Sequence, residues 1–133
     1  MLGDIPGVVS AAQLRETADG IAEWQLPNGM VPWFPGGHAD PWNHVEAAMA
    51  LALGGHRAAA ERAFEWLQSM QRFDGSWHQY YLADRVEEAK LDTNVCAYVG
   101  TGVWHHWLLF QDRAFLEVMW PMVERAMDFV LSL

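Results

Sequence analysis

Arg62-Ala63-Phe64-Glu65-Trp66-Leu67-Gln68-Ser69-Met70 returns later in the chain as Arg125-Ala126-Met127-Asp128-Phe129-Val130-Leu131-Ser132-Leu133, identical or acid-for-acid at four positions. The first copy continues into Gln71-Arg72-Phe73-Asp74-Gly75-Ser76-Trp77, while the second reaches Leu133. Gln25 to Gly29 echoes the Gln71 to Gly75 spacing upstream, with Trp33 nearby. Such a repeat describes a unit of structure stacked on copies of itself. Each conserved type has a physical use. A glutamine amide bonds carbonyls left open at a helix end, glycine permits the turn, and tryptophan covers the junction. The expectation is a structural staple between outer and inner helices.

Helical periodicity extends outward from this repeat. Ser10-Ala11-Ala12-Gln13 reads as a capping box, followed by Leu14, Ala18 and Ile21 at helical spacing. A loop rich in proline and glycine runs through Pro32, Pro35-Gly36-Gly37 and Pro41. Helices are predicted over about 42–53 and 92–110, both nearly apolar all round, which marks buried helices. Between and after them, about 56–72 and 113–133 are one-sided. Arg57, Glu61, Glu65, Gln68 and Arg72 form one wet face, and Arg113, Glu117, Glu124 and Asp128 the other. Pro121 kinks the last helix or restarts it. No strand is expected. The short connections Gly54-Gly55 and Gln111-Asp112 make antiparallel hairpins.

The fold class is therefore all-α: inner and outer helices alternate, as in an incomplete α/α-toroid, with residues 1–133 forming a single helical segment. On this reading the segment is the N-terminal part of a longer toroid or completes itself by association. The alternative is a small self-sufficient helical domain.

The chain has 133 residues, 52% of them hydrophobic, with eight tryptophans and a net charge of −9. That composition excludes disorder and suits one domain with a real core. Eight basic against seventeen acidic residues argue against nucleic acid and anionic membrane partners. The longest apolar run, from Val95 to Phe110, is interrupted and too short to span a bilayer. The lone Cys96 and the absence of a basic-then-apolar start predict a cytoplasmic protein.

The Arg62, Trp66, Gln71, Gly75 and Trp77 pattern resembles the QW motif of triterpene cyclases, whose toroid fold is shared with protein prenyltransferase β subunits. Asp40-Pro41-Trp42-Asn43-His44-Val45-Glu46 resembles bacterial prenyltransferase-like proteins. The resemblance implies a toroid with an aromatic-lined cavity for an apolar or isoprenoid-like ligand. Two family features are missing. The Asp-x-Asp-Asp acid cluster is replaced by Leu91-Asp92-Thr93-Asn94, and Asp92 and Cys96 stand too far apart for the prenyltransferase zinc pattern.

Both inner helices begin after long loops, which puts their N-termini at one end. Glu46, Asp92 and His44 are the candidate catalytic residues there. Trp42, Trp77, Tyr98, His38, Asp40 and Asn94 are candidates for substrate binding. Polar groups among aromatics at the mouth of an apolar core form the usual pocket pattern. Asp40 and Asp92 read equally well as N-caps. His44 and Glu46 lie about 200° apart around a helix, so no metal site is expected. No cofactor is expected either. The runner-up function is a carbohydrate-active barrel resembling the six-hairpin glycosidases, with Glu46 and Asp92 as paired carboxylates and tryptophans as sugar platforms. A third reading is a non-catalytic interaction module.

Overall fold

The structure, a computed structural model, describes residues 2–133. The first helix, α1 (Ala11–Trp24), starts at the expected capping box. Ser10 Oγ accepts from the Gln13 amide at 3.2 Å, and Gln13 Oε1 accepts from the Ser10 amide at 2.9 Å. Asp40 caps α2 (Pro41–Leu53), with Pro41 in the first turn where its missing N–H costs nothing. The Gly54-Gly55 turn leads into α3 (Arg57–Met70). After a long loop come α4 (Thr93–Ala97), α5 (Val99–Phe110) and α6 (Arg113–Leu131).

The chain is all-α in architecture. α2 packs on α1, α3 and α5, and α6 packs on α4, α5 and α3. Val45, Ala48 and Leu51 of α2 are buried with Ala60, Phe64 and Leu67 of α3 and Met119, Met122 and Ala126 of α6. Gly102 shows how closely α5 fits the groove between α2 and α3. A methyl group there would lie 2.5 Å from Val45 Cγ1 and 2.9 Å from Phe64 Cε1.

Four details correct the sequence reading. The expected 92–110 helix is two helices meeting at Tyr98, which belongs to neither. Of the two readings of Pro121, a restart is excluded, because α6 runs through it to Leu131 as one helix. The second long loop holds a small antiparallel hairpin, β1 (Tyr80–Tyr81) with β2 (Val86–Glu88), and Tyr81 also bridges to Ala39 in the first long loop. Finally, the wet stripe of α3 is partly a seam. Arg57 pairs with Glu61 and Asp112, and Gln68 Nε2 donates to the Val118 carbonyl at 3.1 Å.

The staple is present twice and joins different helices from those expected. Gln25 Nε2 donates to the Gly29 carbonyl at 3.0 Å and the Ala59 carbonyl at 2.9 Å, while Arg62 donates to Gln25 Oε1. Gln71 Nε2 donates to the Gly75 carbonyl at 3.0 Å and the Met122 carbonyl at 2.9 Å, while Arg125 donates to Gln71 Oε1. The glutamine thus ties α1 to α3 and α3 to α6, and the second tie joins two helices that the sequence reading makes outer. Among the described residues no helix is long and apolar enough to cross a membrane.

Candidate functional site

α2 and α4 begin beside each other because both follow long loops, and each begins with an aspartate. Asp40 Oδ1 accepts from the Asn43 amide at 3.0 Å. Its Oδ2 accepts from Trp33 Nε1 at 2.7 Å and Asn43 Nδ2 at 2.8 Å, and the residue is only 4% exposed. Asp92 Oδ1 accepts from the amides of Asn94 and Val95 at 2.9 and 3.3 Å. Both side chains line one cleft of about 290 Å³, with Trp42, Asn43 and Asn94 on its helical walls and Trp33, Gln79 and Tyr80 from the two loops. So both aspartates are N-caps and both face the cleft.

A second cleft of about 510 Å³ shares Trp33 and Asn43 with the first and extends past Glu46 to Ala47, Ala50 and Trp24. Trp42 stacks face to face on Tyr98. Trp42 Nε1 donates to Glu46 Oε1 at 3.1 Å, and the Tyr98 hydroxyl reaches the same oxygen at 3.4 Å. Burial first, and then the Glu46 charge, push the Tyr98 phenol above its ordinary pKa. His38 stacks on Tyr80 at 4.4 Å and bonds Glu87 through Nδ1 at 2.6 Å, tying β2 to the loop that carries Trp33.

Two expected site residues lie elsewhere. His44 is 1% exposed and faces the protein interior. Its Nδ1 accepts from the Val31 amide at 3.2 Å, so its Nε2 carries the proton and donates to the Ala63 carbonyl at 2.8 Å. Burial lowers its pKa to about 4. Both nitrogens are engaged, and the ring has no free atom for chemistry. Trp77 is fully buried, and its indole donates to the Leu67 carbonyl at 2.8 Å. It covers the staple junction rather than walling a cleft.

Sequence reasoning missed Trp33, Asn43, Gln79 and Trp24 as lining residues. Asn43 had a legible signal, three residues after the capping Asp40, where a side chain reaches back to the cap. Trp33, Gln79 and Trp24 had none, because tertiary packing of loops and α1 brings them to the cleft. Among the described residues no three His, Cys, Asp or Glu side chains cluster so as to hold a metal ion.

No protein-family model matches the chain. It is 52% identical over 129 residues to the MMP endo-(1,4)-3-O-methyl-alpha-D-mannosidase of Mycolicibacterium hassiacum, a match covering 97% of this chain and 36% of that protein. It is also 32% identical over 87 residues to an uncharacterized glycosyl hydrolase of Methanocaldococcus jannaschii, covering 62% of this chain and 14% of the relative. The chain thus spans about a third or less of the length of each curated relative it matches. These similarities overturn the expectation of an isoprenoid-like ligand and of prenyltransferase-like or terpenoid-cyclase-like function. The physical reason lies in the staple. Gln71, Gly75 and Trp77 bond and pack against the chain's own helices, so their pattern carries no information about a ligand.

Proposed function

We propose that this chain forms the sugar-binding cleft of a glycoside hydrolase acting on α-linked mannose chains that carry methyl ethers. One observation carries the reading: Trp42, stacked flat on Tyr98 and bonded to Glu46 of the adjoining cleft, also walls the cleft that Asp40 and Asp92 share. Aromatic faces suit the apolar faces of sugar rings and their methyl groups, and amides such as Asn43 and Asn94 suit hydroxyls. The mannosidase relative supplies the substrate class.

Glycoside hydrolysis needs two carboxyl groups across the scissile bond, one donating a proton to the leaving oxygen and one attacking or activating water. Asp40 and Asp92 sit at helix N-termini, where negative charge is favoured, which suits the anionic role. Glu46, which accepts from the Trp42 indole and the Tyr98 hydroxyl, is the carboxyl group beside the platform and is left for the role of the acid.

The test is a titration of the chain with α-(1→4)-linked 3-O-methylmannose oligosaccharides, read by tryptophan fluorescence, with cello-oligosaccharides as control. Saturable binding selective for the methylmannose chains, weakened about tenfold or more in Trp42→Ala, is expected. A folded chain that binds neither sugar rejects the reading.

A further inference from the structure

Trp33 and Tyr80 wall the cleft that Asp40 and Asp92 share, yet neither stands on a helix. Trp33 comes from the first long loop and Tyr80 from β1 in the second. One ring joins them. His38 stacks on Tyr80 with the planes 13° apart, and it meets Trp33 edge-on at 4.6 Å. The imidazole lines neither cleft, so it stands behind the two rings that do. Trp33 in turn donates from its indole to Asp40 Oδ2, which links the same cluster to a carboxylate of the cleft.

The hairpin that brings Tyr80 is anchored on one side. Tyr81 of β1 is buried against Trp66 and exchanges two backbone hydrogen bonds with Ala39. All of β2 is exposed. Among the described residues from 82 to 91, Glu87 alone forms a hydrogen bond to a part of the chain outside this loop, and its partner is His38 Nδ1 at 2.6 Å. A carboxylate accepts, so His38 Nδ1 is the donor, while Nε2 is buried without a partner. The Glu87 bond is therefore the single polar tie on the ring, and the ring is the single polar tie on the outer strand.

We propose that His38 is a positioning residue: clamped by Glu87, it holds the β1–β2 hairpin against the first loop and fixes Tyr80 and Trp33 as a preformed wall facing Asp40 and Asp92 for a sugar. This role rests on the sugar-binding reading of the cleft. A wall assembled from two loops is costly to order when a ligand binds, and a bond that orders it beforehand raises affinity by removing that cost. The two side chains are 25% and 41% exposed, and pairs so open to water add little to global stability. The effect therefore falls on the cleft and not on the fold.

The experiment is a double-mutant cycle. His38→Phe keeps a ring between Trp33 and Tyr80 and loses the bond, and Glu87→Ala loses the same bond from the other side. Each is expected to weaken methylmannose-oligosaccharide binding about fivefold in the fluorescence titration, and the double variant no further than either. Tm is expected to move by less than about 2 °C in all three. Without sugar, hydrogen exchange of the Gln79 and Leu82 amides, which bond across the hairpin, should quicken about fivefold or more in the same variants. Asp84→Ala removes an equal charge from the exposed hairpin turn and should leave both readouts unchanged. Binding that all three variants keep, or losses that add in the double variant, would overturn the proposal and leave the sugar reading standing. A wild-type chain that binds no sugar rejects the sugar reading, and amide exchange alone then decides the clamp: quickened rates support it and unchanged rates overturn it.

Discussion

Trp42 lies flat on Tyr98, ring centroids 4.2 Å apart and planes within 3° of parallel, and both side chains reach Glu46 Oε1. The pair joins α2 to the junction of α4 and α5 at the open mouth of the molecule. A tyrosine next to a carboxylate resists ionisation, because phenolate and carboxylate repel.

That repulsion is measurable. Burial and Glu46 both push the Tyr98 phenol upward, and burial also pushes Tyr81 up to about 12. In Glu46→Gln the alkaline absorbance titration of one of the three tyrosines moves to lower pH, while the buried Tyr81 stays where it was. An unchanged curve would show that Glu46 does not face Tyr98 in solution. Tyr98→Ala removes the stacked pair and costs about 1 kcal/mol in urea unfolding beyond the lost area, with sugar affinity falling in parallel.

The staples predict a sharper effect on stability. Gly75 has φ +89° and Gly29 φ +94°, conformations that side chains rarely adopt, and an added methyl would run into the backbone carbonyl of Arg125 or Arg62 respectively. Gly75→Ala is therefore expected to cost roughly 2–4 kcal/mol, strain and clash together, and Gly29→Ala a similar amount. Gln71→Ala removes the donor to the Gly75 and Met122 carbonyls and the acceptor of the Arg125 guanidinium, for a loss of about 1–2 kcal/mol. Urea midpoints at constant m would check all three. A cost for Gly75→Ala below that of Gln71→Ala would count against the close approach of Gly75 to the α6 backbone at Arg125.

His44 sets an acid limit. Its folded pKa, lowered to about 4 by burial, lies below the ordinary imidazole value of 6.5. The stability it contributes is thus fully present above about pH 6.5 and is lost as pH falls toward 4, amounting to about 3 kcal/mol at most. His105 and His106 are lowered by burial too, with the same sign. Unfolding free energy should therefore fall between pH 7 and pH 4.5, before most carboxylates titrate. His44→Gln, which keeps a donor and an acceptor, should flatten that slope even though the variant is less stable at pH 7.

Much of this architecture was legible from local chemistry. The capping box at Ser10, the Asp40-Pro41 start and the Gly54-Gly55 turn each depend on residues within one helical turn, and each lies where the sequence puts it. The repeat showed that glutamine and glycine act together, but not on which neighbour, since Ala59 and Met122 contribute only backbone carbonyls. Apolar periodicity could not separate the buried Trp77 from the exposed Trp42, because a tryptophan over a helix junction and one on a cleft wall are the same letter. His44 looked available beside Asp40 and Glu46, yet it turns to the opposite side of α2 and spends both nitrogens on backbone groups. The ligand class was the least legible, since the most specific pattern in the chain is a fastening between helices.

Amide substitutions separate capping from catalysis at the cleft. Asn caps a helix about as well as Asp, and Asp92 caps through one oxygen, so Asp92→Asn should change stability by less than about 0.5 kcal/mol. Asp40→Asn, which loses one of two engaged oxygens, and Asp40→Ala should each cost about 1 kcal/mol or more. In Asp40→Asn only one oxygen remains, so either the cap bond from the Asn43 amide or the bonds from the Trp33 indole and the Asn43 side chain are lost. Hydrolysis of methylmannose oligosaccharides, followed by release of reducing ends, should drop about 100-fold or more where the lost charge or proton takes part in the reaction. Sugar affinity read by fluorescence should hardly change in the same variants. Full turnover in Asp40→Asn and Asp92→Asn would reduce both residues to caps. Full turnover in Glu46→Gln would remove the proton donor from its place beside the Trp42–Tyr98 platform.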